Sequence, residues 1–503
     1  MRPARLSGGW ERFWPLAPAT VFACLTALWI RRVGVEPMNC QIASGAAAAM
    51  RGRFPPAAFN YKTGPGMYFL LAPFVLVFGQ TLRAIRVSCV FWSAAYVAAA
   101  GLLAGRCAGS RKAGVLGACL AAVSPALSQL TPLGQFGQIA DSALVAAALA
   151  EMIACARDRG VWRARRAGLL LGLALATHSV VAGVVAGLVV FALLNRERFG
   201  PPERRLIAQG AAWFTAPLLT YAWALTVGGL WRFWLRAFTA RDDGLSNLSY
   251  ASSALVRARQ LLFIVGGGVR PMLTAAAAAC AAGLLGAALW RFARAGRDAR
   301  RPAAFLWTLG ACFFALSPFT PSVLRNVHLM LAMPIVWAAL AASLELEASG
   351  PARLAGAMFA CVYLAAGSAS AALTVGTLAR SRGAGTEYKL AIIDMARYFA
   401  ARPELSPAIV EDAGGALMVR FLSEREPREL ATDASSPAND AAWKSALGNP
   451  ASVLVVAAPD AGDPDQEGPA RRLAARAGYR LVETTVLRDG LGAPAYRFLT
   501  ARR

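Results

Sequence analysis

The sequence predicts an α-helical polytopic membrane protein with about eleven transmembrane helices, followed by a small α/β domain outside the cytoplasm. Hydrophobic residues make up 57% of the 503 residues and charged residues only 16%, whereas soluble globular chains carry about 25% charged residues. Apolar runs of about 20 residues, the length that crosses a bilayer core, recur up to residue 377. From residue 378 the charge rises and the runs stop. We therefore predict a membrane domain over 1–377 and a soluble domain over 378–503.

The first run follows three arginines, as in a signal sequence, but it lacks a small-residue cleavage site and more spans follow. We therefore expect a retained helix. The short pair that meets at His178 is one span or two half-length spans. The candidate spans begin near Phe13, Ala84, Ala113, Ile139, Ala167, Ser179, Ile207, Pro271, Ala303, Leu329 and Leu354.

The net charge of +24 is concentrated in short loops between spans. If the short pair counts as two spans, four basic loops fall on the side of the N-terminus, and the positive-inside rule makes that side cytoplasmic. This predicts a bacterial inner-membrane protein with a cytoplasmic N-terminus and a periplasmic C-terminal domain. The charge then requires no nucleic-acid partner. The loops contain Arg106, Arg111 and Lys112; Arg157, Arg159, Arg163, Arg165 and Arg166; Arg196, Arg198, Arg204 and Arg205; and Arg291, Arg294, Arg297, Arg300 and Arg301.

Arg31 and Arg32 are exceptions to this rule, because they follow the first span on the outer side. Two roles stay open for them. Their side chains could snorkel to lipid headgroups, or they could attract a phosphate.

The first outer loop, residues 34–83, contains an apolar run from Met67 to Phe78 that is too short to span comfortably. We predict a helix lying in the membrane interface, with Tyr68 and Phe69 at headgroup depth. The alternative is a short transmembrane helix. That alternative would invert every later span and remove the charge asymmetry.

The C-terminal region alternates helical and strand patterns. Glu387–Ala401 and Gly468–Ala477 are predicted helices, and Ser452–Ala457, Arg480–Leu487 and Ala495–Leu499 are predicted strands. The region contains no histidine and no nucleotide-binding loop. An accessory or binding role is therefore the default expectation.

The sequence shows no disulfide framework and no metal-binding pattern, since most of its nine cysteines lie inside apolar runs. We predict no metal site and no cofactor, and leave a divalent metal open.

Carboxylates near a membrane are functional candidates because they are costly there. Asp141 opens a helix on the outer side, where it acts in a site or stabilises the helix dipole. Glu36 follows the first span and is a catalytic candidate or a solvated loop residue. Asn39, three residues on, adds a neutral oxygen to the candidate catalytic group.

Cationic candidates lie on the same outer side. Lys62 precedes the interfacial run and is a phosphate ligand or a snorkelling lysine. His178 and His328 each stand at a predicted outer helix end, where they could bind an anionic headgroup together with Arg325. Carboxylates combined with phosphate-binding cations suit group transfer from a lipid-phosphate donor, with a carboxylate as general base.

These residues lie in an ordered set of short motifs over about residues 10–345. The set is Met38-Asn39 after the first span, Gly52-Arg53-Phe54-Pro55, Tyr61-Lys62-Thr63-Gly64-Pro65, Phe78-Gly79, Asp141 after Ser124-Pro125, Gly172-Leu173-Ala174-Leu175-Ala176-Thr177-His178, and Arg325-Asn326-Val327-His328 before Pro334. In this order they resemble the GT-C membrane glycosyltransferases, most closely family 39, the protein O-mannosyltransferase and aminoarabinose-transferase type.

The resemblance implies a GT-C-like fold and an inverting glycosyltransferase that uses a polyprenyl-phosphate-linked sugar. It implies a lipid-phosphate contact at Lys62 and a second acidic site residue at Asp141. At the register of the family's first acidic pair, which is implied to supply the catalytic base, this chain has Met38 and Asn39. Glu36 is the nearest carboxylate. The acceptor is a glycan, a lipid or a protein.

Two other functions stay open. Because the acidic pair is missing, the chain could bind a lipid-linked sugar without catalysis. A transporter or flippase is the third reading, and the sequence shows neither an inverted repeat nor the paired broken helices expected of one.

Overall fold

The computed structural model describes residues 16–35, 37–52, 64–131, 136–227, 250–267, 271–316, 329–346, 350–383, 390–432, 437–458 and 466–503. The first part of the chain is helical. Its helices are α1 Leu16–Trp29, α2 Pro37–Met50, α3 Gly66–Phe78, α4 Leu82–Ala108, α5 Arg111–Ala122, α6 Pro125–Leu130, α7 Phe136–Asp158 and α8 Val161–Thr177. They continue with α9 Ala182–Leu194, α10 Pro201–Val227, α11 Tyr250–Gly266, α12 Pro271–Arg294, α13 Arg297–Leu316, α14 Met333–Leu344 and α15 Gly350–Ser381.

Four of the described helices are long and apolar enough to cross a membrane, namely α4, α7 from Gln138, α12 and α15. A fifth span results if α1 with its 3-10 extension and α2, which meet at 106°, count as one. The predicted number of eleven spans is therefore not reached by this measure in the described residues. The short pair at His178 forms two separate helices, α8 and α9.

Glycines let neighbouring helices approach closely. A Cβ atom on Gly168 of α8 would lie 1.9 Å from the carbonyl oxygen of Gly210 in α10, and one on Gly172 would lie 2.2 Å from that of Phe214. Small residues at such crossings are typical of membrane helix pairs, where dispersion contacts replace the hydrophobic effect.

The C-terminal end of α11 is buried in the bundle, and hydroxyl groups satisfy its last carbonyls. Ser124 donates to Ile264 (3.3 Å) and Tyr363 to Val265 (3.4 Å). Ser370 donates to the Gly266 carbonyl at 2.9 Å. A helix end without such partners would leave unpaired carbonyls in an apolar surrounding.

The predicted interfacial run forms α3, a helix of 13 residues. Its exposed residues include Phe69, Leu76 and Val77, but Tyr68 is buried. The ring of Tyr68 lies against Gly45 of α2, where a Cβ atom would come within 2.2 Å of it. Tyr68 therefore lies in a protein pocket, because the missing side chain at position 45 leaves room for its ring. Its depth in the membrane stays a prediction.

The last part of the chain forms a mixed five-stranded sheet with helices around it, in the strand order β2-β1-β3-β5-β4. β1 is parallel to β2 and β3, whereas β5 is antiparallel to β3 and β4. The elements are α16 Leu390–Ala400, β1 Ser406–Val410, α17 Ala413–Ser423, β2 Arg428–Leu430, α18 Pro437–Gly448, β3 Ser452–Ala457, α19 Glu467–Arg476, β4 Arg480–Arg488 and β5 Pro494–Arg502.

One hydrophobic core connects the two parts. Buried side chains of α2, α4 and α14 form a single contiguous cluster with those of α16, α17 and one face of the sheet. The opposite face of the sheet has a separate core with α18 and α19. The C-terminal part therefore packs directly on the helices that surround the candidate site.

Candidate functional site

Asp141 and His178 lie at the same end of the bundle. They belong to consecutive helices, α7 and α8, which pack against each other and are joined by a tight turn at Arg159 and Gly160. Each residue is about 18 positions from that turn, which corresponds to about 27 Å of helix. Because the hairpin is antiparallel, the two side chains come to the same level, on the side predicted to be outside.

Asp141 is 2% exposed. Its Oδ1 atom is buried and, in the part of the chain that the structure describes, makes no hydrogen bond. The hydroxyl of the next residue, Ser142, turns back to donate to the Gln138 carbonyl at 2.5 Å. A buried carboxyl oxygen without a donor is costly for folding. Such a group is typical of a site that receives its partner from a ligand.

His178 forms the C-cap of α8, where its backbone N–H donates to the Ala174 carbonyl. The ring is buried, and Nδ1 accepts the backbone N–H of Val180 at 3.3 Å. In the neutral ring the proton therefore resides on Nε2. A neutral His178 ring would thus present its Nε2–H as a donor at the level of Asp141.

A backbone seam joins the outer loop to this pair. The Gly64 N–H donates to the Thr177 carbonyl at 2.7 Å. At Gly66 a Cβ atom would lie 2.8 Å from both the Ala176 carbonyl carbon and the Thr177 nitrogen. The glycines therefore allow the loop backbone to rest on the end of α8, immediately before His178. We call this contact the Gly64–Thr177 seam.

Helix α2 connects to the seam through α3. Asn39 lies in the first turn of α2 and is 2% exposed. Tyr68 of α3 fills the space above Gly45 of α2, and α3 in turn contacts α8. The buried polar residues Asn39, Asp141 and His178 therefore belong to one connected set of helices.

Helix α17 of the C-terminal part packs on the same first turn of α2. The Cys40 thiol approaches the Met418 sulfur at 3.7 Å, and both residues are fully buried. A Cβ atom on Gly414 would lie 3.2 Å from Pro37. The side chain of Asp412 caps α17 by accepting the Gly415 N–H at 2.7 Å, and it also accepts the Tyr496 hydroxyl at 3.0 Å.

Several predicted site residues lie outside the described residues, namely Glu36, Lys62, Arg325 and His328. The structure brings Asp141 and His178 to one level and links them to Asn39 through α3. Sequence reasoning missed the seam, although Gly64-Pro65-Gly66 is a strong break signal. It also missed Arg86, whose Nη2 donates to the Val33 carbonyl at 2.9 Å.

The described residues contain no group of three or more histidine, cysteine, aspartate or glutamate side chains that could hold a metal ion. Asp141 could contribute one oxygen ligand to a metal. The described donors do not complete such a site.

Residues 62–223 match the family model described as dolichyl-phosphate-mannose-protein mannosyltransferase. This segment contains Lys62, the Gly64–Thr177 seam, Asp141 and His178. A search of curated protein sequences finds no match.

Among solved structures, the chain is similar to ArnT from Cupriavidus metallidurans bound to undecaprenyl phosphate, with a TM-score of 0.64 and 15% identity over 98% of both chains. The apo form of the same protein gives a TM-score of 0.63 and 14% identity, over 95% of this chain and 97% of that one. The oligosaccharyltransferase AglB from Archaeoglobus fulgidus, in complex with an inhibitory peptide and a dolichol-phosphate, gives a TM-score of 0.51 and 14% identity. This match covers 84% of this chain and 65% of that one.

At such identities the likeness concerns the fold. Together with the family match, it confirms the resemblance to family 39 GT-C glycosyltransferases that the ordered motifs predict. The fold is mostly helical with a small C-terminal sheet.

Proposed function

We propose that this chain is a GT-C glycosyltransferase that moves a sugar from a polyprenyl phosphate to a glycan, lipid or protein acceptor at the outer face of the inner membrane. The observation that carries the proposal is the placement of buried Asp141, buried His178 and the Gly64–Thr177 seam at the same end of the bundle. Polar groups buried at such a position are typical of a site for a lipid-borne substrate.

Lys62 is the proposed ligand of the donor phosphate. It precedes Gly64 by two residues, and two peptide units span at most about 7.6 Å. Gly64 is hydrogen-bonded to Thr177, next to His178. An ammonium group and an imidazole N–H within reach of one point would suit the phosphate of the donor. Arg325 and His328 are proposed as further cations of this site.

The proposed reaction is a single displacement at the anomeric carbon. Glu36 accepts the proton of the acceptor hydroxyl while its oxygen forms the new bond to carbon. The bond from that carbon to the phosphate oxygen breaks, and the polyprenyl phosphate leaves with the electron pair. The cations stabilise the charge on the leaving group. The Oδ1 atom of Asp141 makes no hydrogen bond to a described residue. It orients the acceptor or the sugar by accepting a hydrogen bond from one of its hydroxyl groups.

The test measures sugar transfer from polyprenyl-phosphate-linked donors by the purified protein in liposomes. We expect Asp141→Asn and Glu36→Gln each to lower the rate at least about 100-fold, the usual effect of removing an acid–base group or an oriented charge. The matched control is Glu203→Gln, which removes a carboxylate paired with Arg159 in the segment predicted to be cytoplasmic. Full activity in both site variants would contradict the mechanism.

One observation favours a second function, a non-catalytic protein that binds lipid-linked sugar. Asn39 is buried at the register where the resemblance implies the first acidic pair. Asn39→Asp separates the two functions. If the wild-type protein binds donor without turnover and Asn39→Asp transfers sugar, the binding function is correct. If the wild type transfers sugar and Glu36→Gln abolishes it, the enzyme is correct.

A further inference from the structure

The ends of α1 and α4 carry four arginines on the side predicted to be outside, where the positive-inside rule disfavours them. Arg31 and Arg32 belong to the 3-10 turn that follows α1, and Arg83 and Arg86 lie in the first two turns of α4. We call these four residues the outer arginine cluster.

A hydrogen bond brings the two pairs together. Arg86 Nη2 donates to the carbonyl of Val33, and Val33 is fully buried. Arg31 lies two residues before Val33, so its Cα is within about 7.6 Å of the Val33 Cα. The guanidinium of Arg86 is within electrostatic reach of Arg31 and also of Arg397 in α16.

The cluster has no acidic partner among the described residues. None of its four members forms an ion pair there, and the nearby Arg397 shares its charge with Asp394 at 3.8 Å. The Arg86 Nε atom is buried and makes no hydrogen bond to any residue that the structure describes. Like charges held together repel each other unless an anion separates them.

The outer arginine cluster lies at the end of an exposed apolar surface that suits contact with lipid. Val21, Leu25 and Leu28 form an exposed apolar stripe on α1, and exposed Arg32 follows four residues later. On the neighbouring helix, the exposed Arg83 places its guanidinium carbon 5.0 Å from the centre of the Phe78 ring. Arginines above an apolar stripe stand at headgroup level.

The start of α4 adds to the positive potential. Thr81 caps the helix by accepting the Ala84 N–H at 3.3 Å, and the first turn contains a basic residue but no acidic one. Positive side chains at a helix N-terminus oppose the helix dipole, whereas an anion there is stabilised by it.

We propose that the outer arginine cluster binds the phosphate of an anionic lipid headgroup, at a site separate from the Gly64–Thr177 seam. The bound lipid would neutralise the cluster and link the ends of α1 and α4 to α16 of the C-terminal part. The site depends on the membrane orientation proposed above and does not depend on sugar transfer, so either proposal can fail alone.

The test is a titration of the delipidated full-length protein in detergent with dioleoyl phosphatidylglycerol or dioleoyl phosphatidylcholine, followed by native mass spectrometry. We expect the wild type to retain phosphatidylglycerol more tightly. Arg31→Gln/Arg32→Gln should weaken that binding about tenfold without affecting phosphatidylcholine, because a phosphate loses two charge-assisted partners. Neither side chain holds the fold through a described hydrogen bond.

Two further variants complete the design. Arg86→Lys keeps the charge but cannot donate to Val33 and a phosphate in the same fork geometry, so intermediate affinity is expected. Arg472→Gln/Arg476→Gln removes two exposed charges from α19 and should leave lipid binding unchanged. Equal phosphatidylglycerol affinity in wild type and Arg31→Gln/Arg32→Gln would overturn the proposal. Equally tight binding of soluble glycerol phosphate would overturn the assignment to a lipid.

Discussion

At Asp141 the requirements of stability and of the proposed function conflict. It is buried in a helix of the bundle, and its Oδ1 has no hydrogen-bond donor among the described residues. Replacing such a group by an apolar one of similar size removes an unpaired polar atom, which is neutral or stabilising. Natural chains retain such costs at functional sites.

Asp141→Leu is therefore expected to stabilise the protein by about 1–3 kcal/mol while it abolishes sugar transfer. Thermal unfolding in detergent should show a raised melting temperature. Asp158→Leu, at the other end of the same helix, is the matched control. It should lower the melting temperature, because Asp158 accepts the Gly160 N–H at 3.0 Å and pairs with Arg163 at 2.5 Å. A lower melting temperature for Asp141→Leu would show that Asp141 is held by the fold itself.

Gly66 is the second residue with a specific requirement. Gly66→Ala would place a methyl group 2.8 Å from the backbone at Ala176 and Thr177, so the loop has to move away from α8. We expect donor affinity to fall about tenfold or more as the seam opens. Gly286→Ala, which meets open space inside α12, should be neutral or slightly stabilising. The measurement is the affinity of both variants for the donor. Unchanged affinity in Gly66→Ala would show that the Gly64–Thr177 seam is not part of the donor site.

At the scale of elements, the contact of α17 with the first turn of α2 ties the C-terminal part to the site. Met418 and Cys40 are both fully buried at this contact, and Cys40 directly follows Asn39 in the chain. Displacement of α17 would therefore move the helix that carries a candidate site residue.

Met418→Ala is expected to destabilise the protein by about 2–5 kcal/mol, since it leaves a cavity in a packed core. The effect should extend to catalysis and lower kcat, because the first turn of α2 loses its support. Met358→Ala, on an exposed surface of α15, is the control and should change neither quantity. A destabilised Met418→Ala variant with normal kcat at low temperature would show that α17 is only structural.

At the scale of the whole molecule, the orientation in the membrane is open to a direct measurement. In a cysteine-free background, Leu491→Cys places a thiol on the exposed surface of the C-terminal part, and Gly296→Cys places one in the basic turn between α12 and α13. We expect a membrane-impermeant maleimide to label the first in intact cells and the second only after permeabilisation. The opposite pattern would invert the proposed topology.

The sequence predicted those features that rest on local pattern. The strand Ser452–Ala457 is reproduced residue for residue, and α19 and β4 lie within a residue of their predicted bounds. β1 and β2 were missed because they have only five and three residues, and because β1 contains Pro407. α17 and α18 were also missed. That Asp141 and His178 lie at the same end of the bundle follows from the lengths of α7 and α8, which can be predicted from the sequence.

Contacts between distant segments could not be predicted. The pocket above Gly45 that buries Tyr68 depends on the crossing of α2 and α3. The approach of Cys40 to Met418 joins positions 378 residues apart. Neither follows from periodicity, since a buried cysteine or tyrosine is compatible with many partners.

The shared core has a consequence for how the protein is made. The early segment that forms α2 and the late segment that forms α16 and α17 bury the same apolar cluster. Until synthesis of the chain is nearly finished, the first outer loop lacks its covering. A nascent chain stopped before residue 390 would therefore expose apolar surface on the side of the membrane predicted to be outside, where quality-control proteases and chaperones act. Early stop codons should thus yield degraded protein rather than a stable membrane fragment.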